Sequence, residues 1–168
     1  MICRRYRLVW DTFEAAAKGS KTSVGSIGIN ELSHHEDIRD GKDRNKDGAL
    51  RRVLVVEDEA LICVDTADAL ERQGFKVDTA LSGEEALRRL RNGLPIDILF
   101  TDMNLAGVMD GATLARLARD LLPALVVVYT SGSMNAVPQG VPGSAFVPKP
   151  YSPDRVGALL SRMARIHA

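Results

Sequence analysis

From Arg51 onward, short apolar runs alternate with amphipathic helical stretches, and that alternation leaves few folds open. Val53-Leu54-Val55-Val56 is apolar at every position, as a strand buried on both faces should be. A helix is predicted from about Ala60 to Gln73, stopped by Gly74. Phe75 to Thr79 reads as a second strand, and Ser82 with Glu85 forms an S-x-x-E capping box for a helix carrying Ala86, Leu87 and Leu90. Ile96 to Thr101 reads as a third strand. The next helix shows Leu114, Leu117, Ala118 and Leu121 at helical spacing. Leu125 to Tyr129 and Ala145 to Val147 are the fourth and fifth strands. A last helix opens with Ser152 as N-cap and Pro153 at its first position, and turns Val156, Leu159, Leu160 and Met163 inward.

Strands separated by helices require right-handed crossovers, hence a parallel sheet covered on both faces. Five such units in roughly 118 residues fit a flavodoxin-like, doubly wound α/β sheet with strand order 2-1-3-4-5. Ligands of such sheets bind beyond the carboxyl ends of the strands. At those ends stand Glu57 and Asp58 after the first strand, Asp102 after the third, Thr130 and Ser131 after the fourth, and Lys149 after the fifth. Three carboxylates brought together repel one another unless a cation joins them. An oxygen-only cluster without His or Cys suits magnesium, with manganese as the alternative, rather than zinc. Lys149 and Thr130 supply donors for phosphoryl oxygens, and a carboxylate nucleophile can form an aspartyl phosphate. Singly, each of these features is an ordinary turn or cap; their ordered conjunction at successive strand ends carries the expectation.

The segments V-V-E-D-E, F-T-D-M-N-L, V-Y-T-S-G and F-V-P-K-P-Y resemble, in order and context, the receiver domain of response regulators, over about Arg51 to the C-terminus. The resemblance implies that Asp102 accepts a phosphoryl group. It implies that Asp58 and Asp102 ligate Mg2+ through side chains, Asn104 through its backbone carbonyl and Glu57 through a water. Thr130 would bond a phosphoryl oxygen and Lys149 would pair with the phosphoryl group. The Lys149-Pro150 bond is a candidate cis peptide. A sensor histidine kinase or a histidine phosphotransfer protein would donate the phosphoryl group. The receiver would catalyse its own phosphorylation and dephosphorylation without being a turnover enzyme. The sequence ends at Ala168 shortly after the last predicted helix, so the expected output is an unidentified downstream protein or relay of the phosphoryl group.

Three features depart from that family. The loop after Asp102, Asn104 to Gly111, is one residue longer than usual and has Ala106 where a proline is common. Phe146 occupies the place of a switching aromatic but has no hydroxyl, and is equally read as core. Pro138, Pro142, Gly132, Gly140 and Gly143 crowd Ser131 to Ser144, so a fourth helix there is expected to be short, broken or absent.

Residues 1–49 carry many turn formers and read as a flexible extension preceding a receiver domain over 50–168. Asp43 to Gly48 imitates the start of a calcium loop, but the twelfth position, which needs a bidentate Glu, is Leu54. Lys+Arg and Asp+Glu both number 22, so no net field favours nucleic acid or an anionic membrane, and Arg88, Arg89 and Arg91 read as a solvated face. Cys3 and Cys63 form no metal or disulfide pattern, and no run spans a bilayer or resembles a secretory signal; a cytoplasmic location is expected. Two other functions compete. A pseudo-receiver would bind partners without phosphorylation, and a magnesium-dependent phosphatase of the haloacid dehalogenase type would need D-x-D after its first strand, where this chain has D-x-N after its third.

Overall fold

The computed structural model describes residues 50–132 and 140–166. Within them a five-stranded parallel sheet has the order β2-β1-β3-β4-β5, as the alternation of elements predicted. The strands are β1 (Arg52–Val56), β2 (Lys76–Ala80), β3 (Ile98–Asp102), β4 (Val126–Ser131) and β5 (Ala145–Pro148). The helices are α1 (Ala60–Arg72), α2 (Gly83–Arg91), α3 (Gly111–Leu121) and α4 (Pro153–Ile166). The N-terminal extension, the calcium-like segment up to Gly48 and the middle of the expected fourth-helix region, 133–139, lie outside the described residues. Leu54 is fully buried in β1, which suits a core strand and not a calcium ligand.

Side chains alternate across a strand, and both sets are apolar here because both faces are covered. Leu54, Val56, Leu99, Val127 and Tyr129 join the core beneath α2 and α3. Val53, Val55, Phe100 and Val128, equally buried, point to the other face. There α1 packs against α4. On that side Tyr151 sets its ring edge-on to Phe100 at 5.6 Å, and its hydroxyl lies 3.3 Å from Thr66 Oγ1.

Local signals explain several helix ends. Gly74 has φ 88°, a conformation that costs a residue without Cβ little. Ser82 accepts the Glu85 N–H, but the Glu85 carboxylate reaches back to the Leu81 N–H, one residue before the expected partner of a capping box. Asp110, not singled out in the sequence, caps α3 by accepting the Thr113 N–H at 2.7 Å. Two expectations need correction. β3 begins at Ile98, with Ile96 half-buried beside the core ahead of it. Leu121 is 45% exposed, because the buried stripe of α3 runs through Leu114, Ala115 and Ala118 instead. On α2, Arg88 and Arg91 are exposed as expected, whereas Arg89 binds the Asp78 carboxylate at 2.7 Å.

Candidate functional site: an acidic pocket closed by a lysine

Four strand ends build the pocket. β1 runs into Glu57, whose N–H extends the ladder by donating to the Ala80 carbonyl. β3 ends on Asp102, which lies beside Thr130 in the β3–β4 register and so faces the same way. Lys149 follows β5, its N–H donating to the Ser131 carbonyl at 2.8 Å. The Lys149–Pro150 peptide is cis, as the sequence suggested.

Glu57, Asp58 and Asp102 each bring a carboxylate oxygen within 4.8 Å of the others. Glu57 is 2% exposed and Asp102 6%, while Asp58 is the most open of the three. Lys149 Nζ closes the pocket, 2.5 Å from Asp102 Oδ2 and 3.0 Å from Glu57 Oε1. The other Glu57 oxygen is 2.7 Å from Nζ, close enough for an ion pair but not aligned for a hydrogen bond. Three carboxylates and one ammonium leave two negative charges, the complement of a divalent cation.

Burial pushes the Glu57 carboxyl above the usual carboxylate range, and the Lys149 hydrogen bond and charge hold it back only in part. Burial pulls the Lys149 ammonium down, but hydrogen bonds to Asp102 and Glu57 outweigh it and hold the group above the ordinary lysine value. Lys149 is therefore a permanent cation here.

Asn104 stands above Asp102, its N–H donating to Asp102 Oδ1 at 3.0 Å and its side-chain amide to Ser131 Oγ at 3.0 Å. Thr130 is 1% exposed, and its hydroxyl has no hydrogen-bond partner among the described residues. A buried hydroxyl without a partner is costly, and one beside a carboxylate pocket is a donor in waiting. Every residue singled out from the sequence, Glu57, Asp58, Asp102, Asn104, Thr130 and Lys149, thus comes to the same end of the sheet.

The structure adds supports that the sequence did not reveal. Glu84 Oε1 accepts the Val108 N–H at 3.0 Å, holding from outside the loop that has Ala106 in place of proline. Gly111 lies so close to Asp102 that a Cβ would fall 2.0 Å from its carbonyl oxygen. Gly111→Ala is therefore expected to displace the Asp102 backbone and to destabilise the fold by about 2–3 kcal/mol, the cost of forcing atoms into a filled site. A melting temperature equal to that of the wild type would show that the contact is slack. Neither support carries a simple pattern: one needs the approach of two loops, the other the approach of a helix to a strand end.

Comparison with known proteins agrees with this geometry. The family model described as the response regulator receiver domain matches residues 53–161. The chain is similar to the phosphate regulon transcriptional regulatory protein PhoB of Rhizobium meliloti, 36% identical over 123 residues, which covers 69% of this chain and 53% of that protein. It is also similar to the sensor kinase CckA of Brucella abortus, 34% identical over 116 residues, covering 66% of this chain and 12% of that one. The chain spans about half or less of the length of these two relatives. Among solved structures, a response regulator receiver protein from Sinorhizobium medicae superposes with a TM-score of 0.65 at 28% identity, covering 70% of this chain and 97% of the other. The receiver domain of the hybrid histidine kinase CckA does so at 0.58 and 32% identity, covering 67% and 98%. Sheet order, pocket and sequence agree: this chain belongs to the response regulator receiver domain family of two-component systems.

Proposed function

We propose that the chain accepts a phosphoryl group on Asp102 from a phosphohistidine and signals through changed protein contacts. The observation that carries this reading is the contact of Lys149 Nζ with Asp102 Oδ2 at 2.5 Å inside a pocket of three carboxylates. In the transfer step an Asp102 carboxylate oxygen forms a bond to phosphorus as the N–P bond of the donor breaks, and the histidine keeps the electron pair of that bond. Lys149 moves from the Asp102 carboxylate to a phosphoryl oxygen, and the Thr130 hydroxyl donates to another. Asn104 holds the second Asp102 oxygen through its N–H and so orients the nucleophile.

The donor set fits magnesium: oxygen ligands only, two uncompensated negative charges, and an open side at Asp58. Glu57, Asp58 and Asp102 would hold the ion, with the Asn104 carbonyl as the further ligand and Glu57 acting through a water. When bound, magnesium neutralises the carboxylates and screens the phosphoryl group from them. Manganese could substitute.

The donor is a sensor histidine kinase or a histidine phosphotransfer protein, and the recipient of the signal is a downstream protein, without direct contact to nucleic acid. Self-catalysed dephosphorylation resets the site, so the chain is a signalling phosphoprotein and not a turnover enzyme. Among the described residues no helix is long and apolar enough to cross a membrane. A cytoplasmic setting suits a domain that meets a kinase.

The test is incubation with acetyl phosphate and magnesium, read by intact mass. One phosphoryl adduct, mapped to Asp102, is the expected result; an unmodified wild type would favour a binding module independent of phosphorylation, and many turnovers on small phosphate esters would favour a phosphatase.

Two substitutions probe the pocket. Asp58→Asn should weaken magnesium binding at least about tenfold, because it removes a charged ligand from a small oxygen set. Unchanged affinity in a metal titration would remove Asp58 from the ligands. Thr130→Ala should leave phosphorylation possible but uncouple it from partner binding. Without ligand it should be neutral or stabilising by up to ~1 kcal/mol, since it deletes an unpartnered buried hydroxyl. A Thr130→Ala protein that is clearly less stable would mean that the hydroxyl is satisfied in solution.

A further inference from the structure

Phe146, at the place of a switching aromatic, has no hydroxyl, but its neighbour in the β4–β5 register, Tyr129, has one. Tyr129 is 1% exposed, and its phenol oxygen accepts the Val141 N–H at 3.3 Å. Gly140 lies against the same ring, where a Cβ would come within 2.8 Å of Tyr129 Cε2. The residues leading towards β5 are therefore gripped by a side chain from β4. Arg119 of α3 holds the next residue, its Nη1 donating to the Pro142 carbonyl at 3.2 Å. Tyr129 also precedes Thr130, the residue with the unpartnered hydroxyl.

We propose that Tyr129 is a positioning residue that transmits occupancy of the Asp102 site to the segment Gly140–Val141–Pro142, an inference that rests on the receiver reading above. Thr130 looks into the phosphorylation pocket, and Tyr129, one residue earlier, looks into the core beneath α2 and α3. A phosphoryl oxygen at Asp102 supplies the acceptor that the Thr130 hydroxyl lacks, and draws the end of β4 towards it. The adjoining peptide carries Tyr129 along. The phenol passes the displacement to Val141 through its hydrogen bond and to Gly140 through direct contact, because a close-packed interior has no slack to absorb it. Phe146 can pack against this core but has no hydroxyl with which to make such a tether.

The test uses the isotope-labelled full chain with magnesium and beryllofluoride as the phosphoryl analogue, read by the amide resonances of Val141 and Asn104. In the wild type both amides shift on addition. In Tyr129→Phe, Val141 amide exchange without ligand should accelerate roughly two- to tenfold, the loss of one hydrogen bond. Its ligand-dependent shift should vanish while that of Asn104, which sits on Asp102, persists. Phe146→Leu, which leaves the Tyr129 phenol and its hydrogen bond to Val141 in place, should keep the response. A Tyr129→Phe protein whose Val141 answers as in the wild type overturns the proposal, as does a response lost in Phe146→Leu alone. A wild type in which neither amide responds overturns the receiver reading, and the coupling with it.

Discussion

Asp102→Asn is expected to abolish phosphorylation while leaving the fold intact. The amide is isosteric, and its oxygen can still accept the Asn104 N–H that Asp102 Oδ1 now receives. Lys149 keeps its second partner, Glu57. The substitution ends the Lys149–Asp102 ion pair but also thins a crowd of three carboxylates, so the two effects oppose each other and the net loss of stability is small. What disappears is chemistry. A neutral amide oxygen is a poor nucleophile, and it contributes no charge towards a divalent ion. Incubation with acetyl phosphate and magnesium should therefore give no adduct by intact mass, with a melting temperature close to that of the wild type. An adduct forming at the normal rate on the Asp102→Asn protein, mapped to Asp58 or elsewhere, would move the nucleophile and with it the proposed mechanism.

Lys149→Ala should have the largest effect on stability. The Lys149 side chain is 17% exposed and its partners Glu57 and Asp102 only 3% and 8%, so the substitution strands two buried carboxylates without their cation. Breaking a buried pair from one side typically costs ~3–5 kcal/mol, and the open Asp58 side of the pocket argues for the lower end, about 3 kcal/mol.

That loss should depend on pH. A group whose pKa is raised on folding contributes stability that is present below its ordinary value and lost as pH rises through the folded value. In the wild type the raised Lys149 value keeps its contribution intact through neutral and mildly alkaline pH. Glu57 is raised too, through burial, and loses its main restraint when Lys149 is removed. The variant should therefore be weakest at neutral pH, and the gap should close as acid protonates Glu57, beginning above the pH at which an ordinary glutamate titrates because burial raises it. Magnesium, replacing the lost positive charge, should stabilise the variant more than the wild type. Thermal melts across pH with and without the metal measure all three effects; a variant with a wild-type melting temperature at pH 7 in the absence of magnesium would mean that the ion pair is solvent-screened and idle. Phosphorylation should fall as well, since no ammonium then meets the incoming oxygens.

Much of this molecule was legible before any coordinates. The apolar run Val53–Val56 had to be a doubly covered strand, and the residues that follow each strand had to meet at one rim once the sheet was parallel. That is why Glu57, Asp58, Asp102, Thr130 and Lys149 could be gathered from four separate stretches of sequence. Errors arose at element margins, where local propensity is weak. Ile96 is apolar enough for a strand but precedes the first ladder pair, Val53 with Ile98. Leu121 continues a helical period yet ends up exposed at the last turn of its helix.

Chain order and residue type by themselves determined the sheet, its winding and the chemical character of its rim, because periodicity of burial and the handedness of crossovers act over short stretches. Only tertiary packing decided how the rim is held: Lys149 spanning Glu57 and Asp102, Gly111 against the Asp102 carbonyl, Glu84 steadying Val108, and Tyr129 clasping Val141. The hydrogen bonds among those contacts join residues 12 to 92 positions apart, and their distances are set by how helices seat on the sheet, a property that no local pattern of side chains encodes.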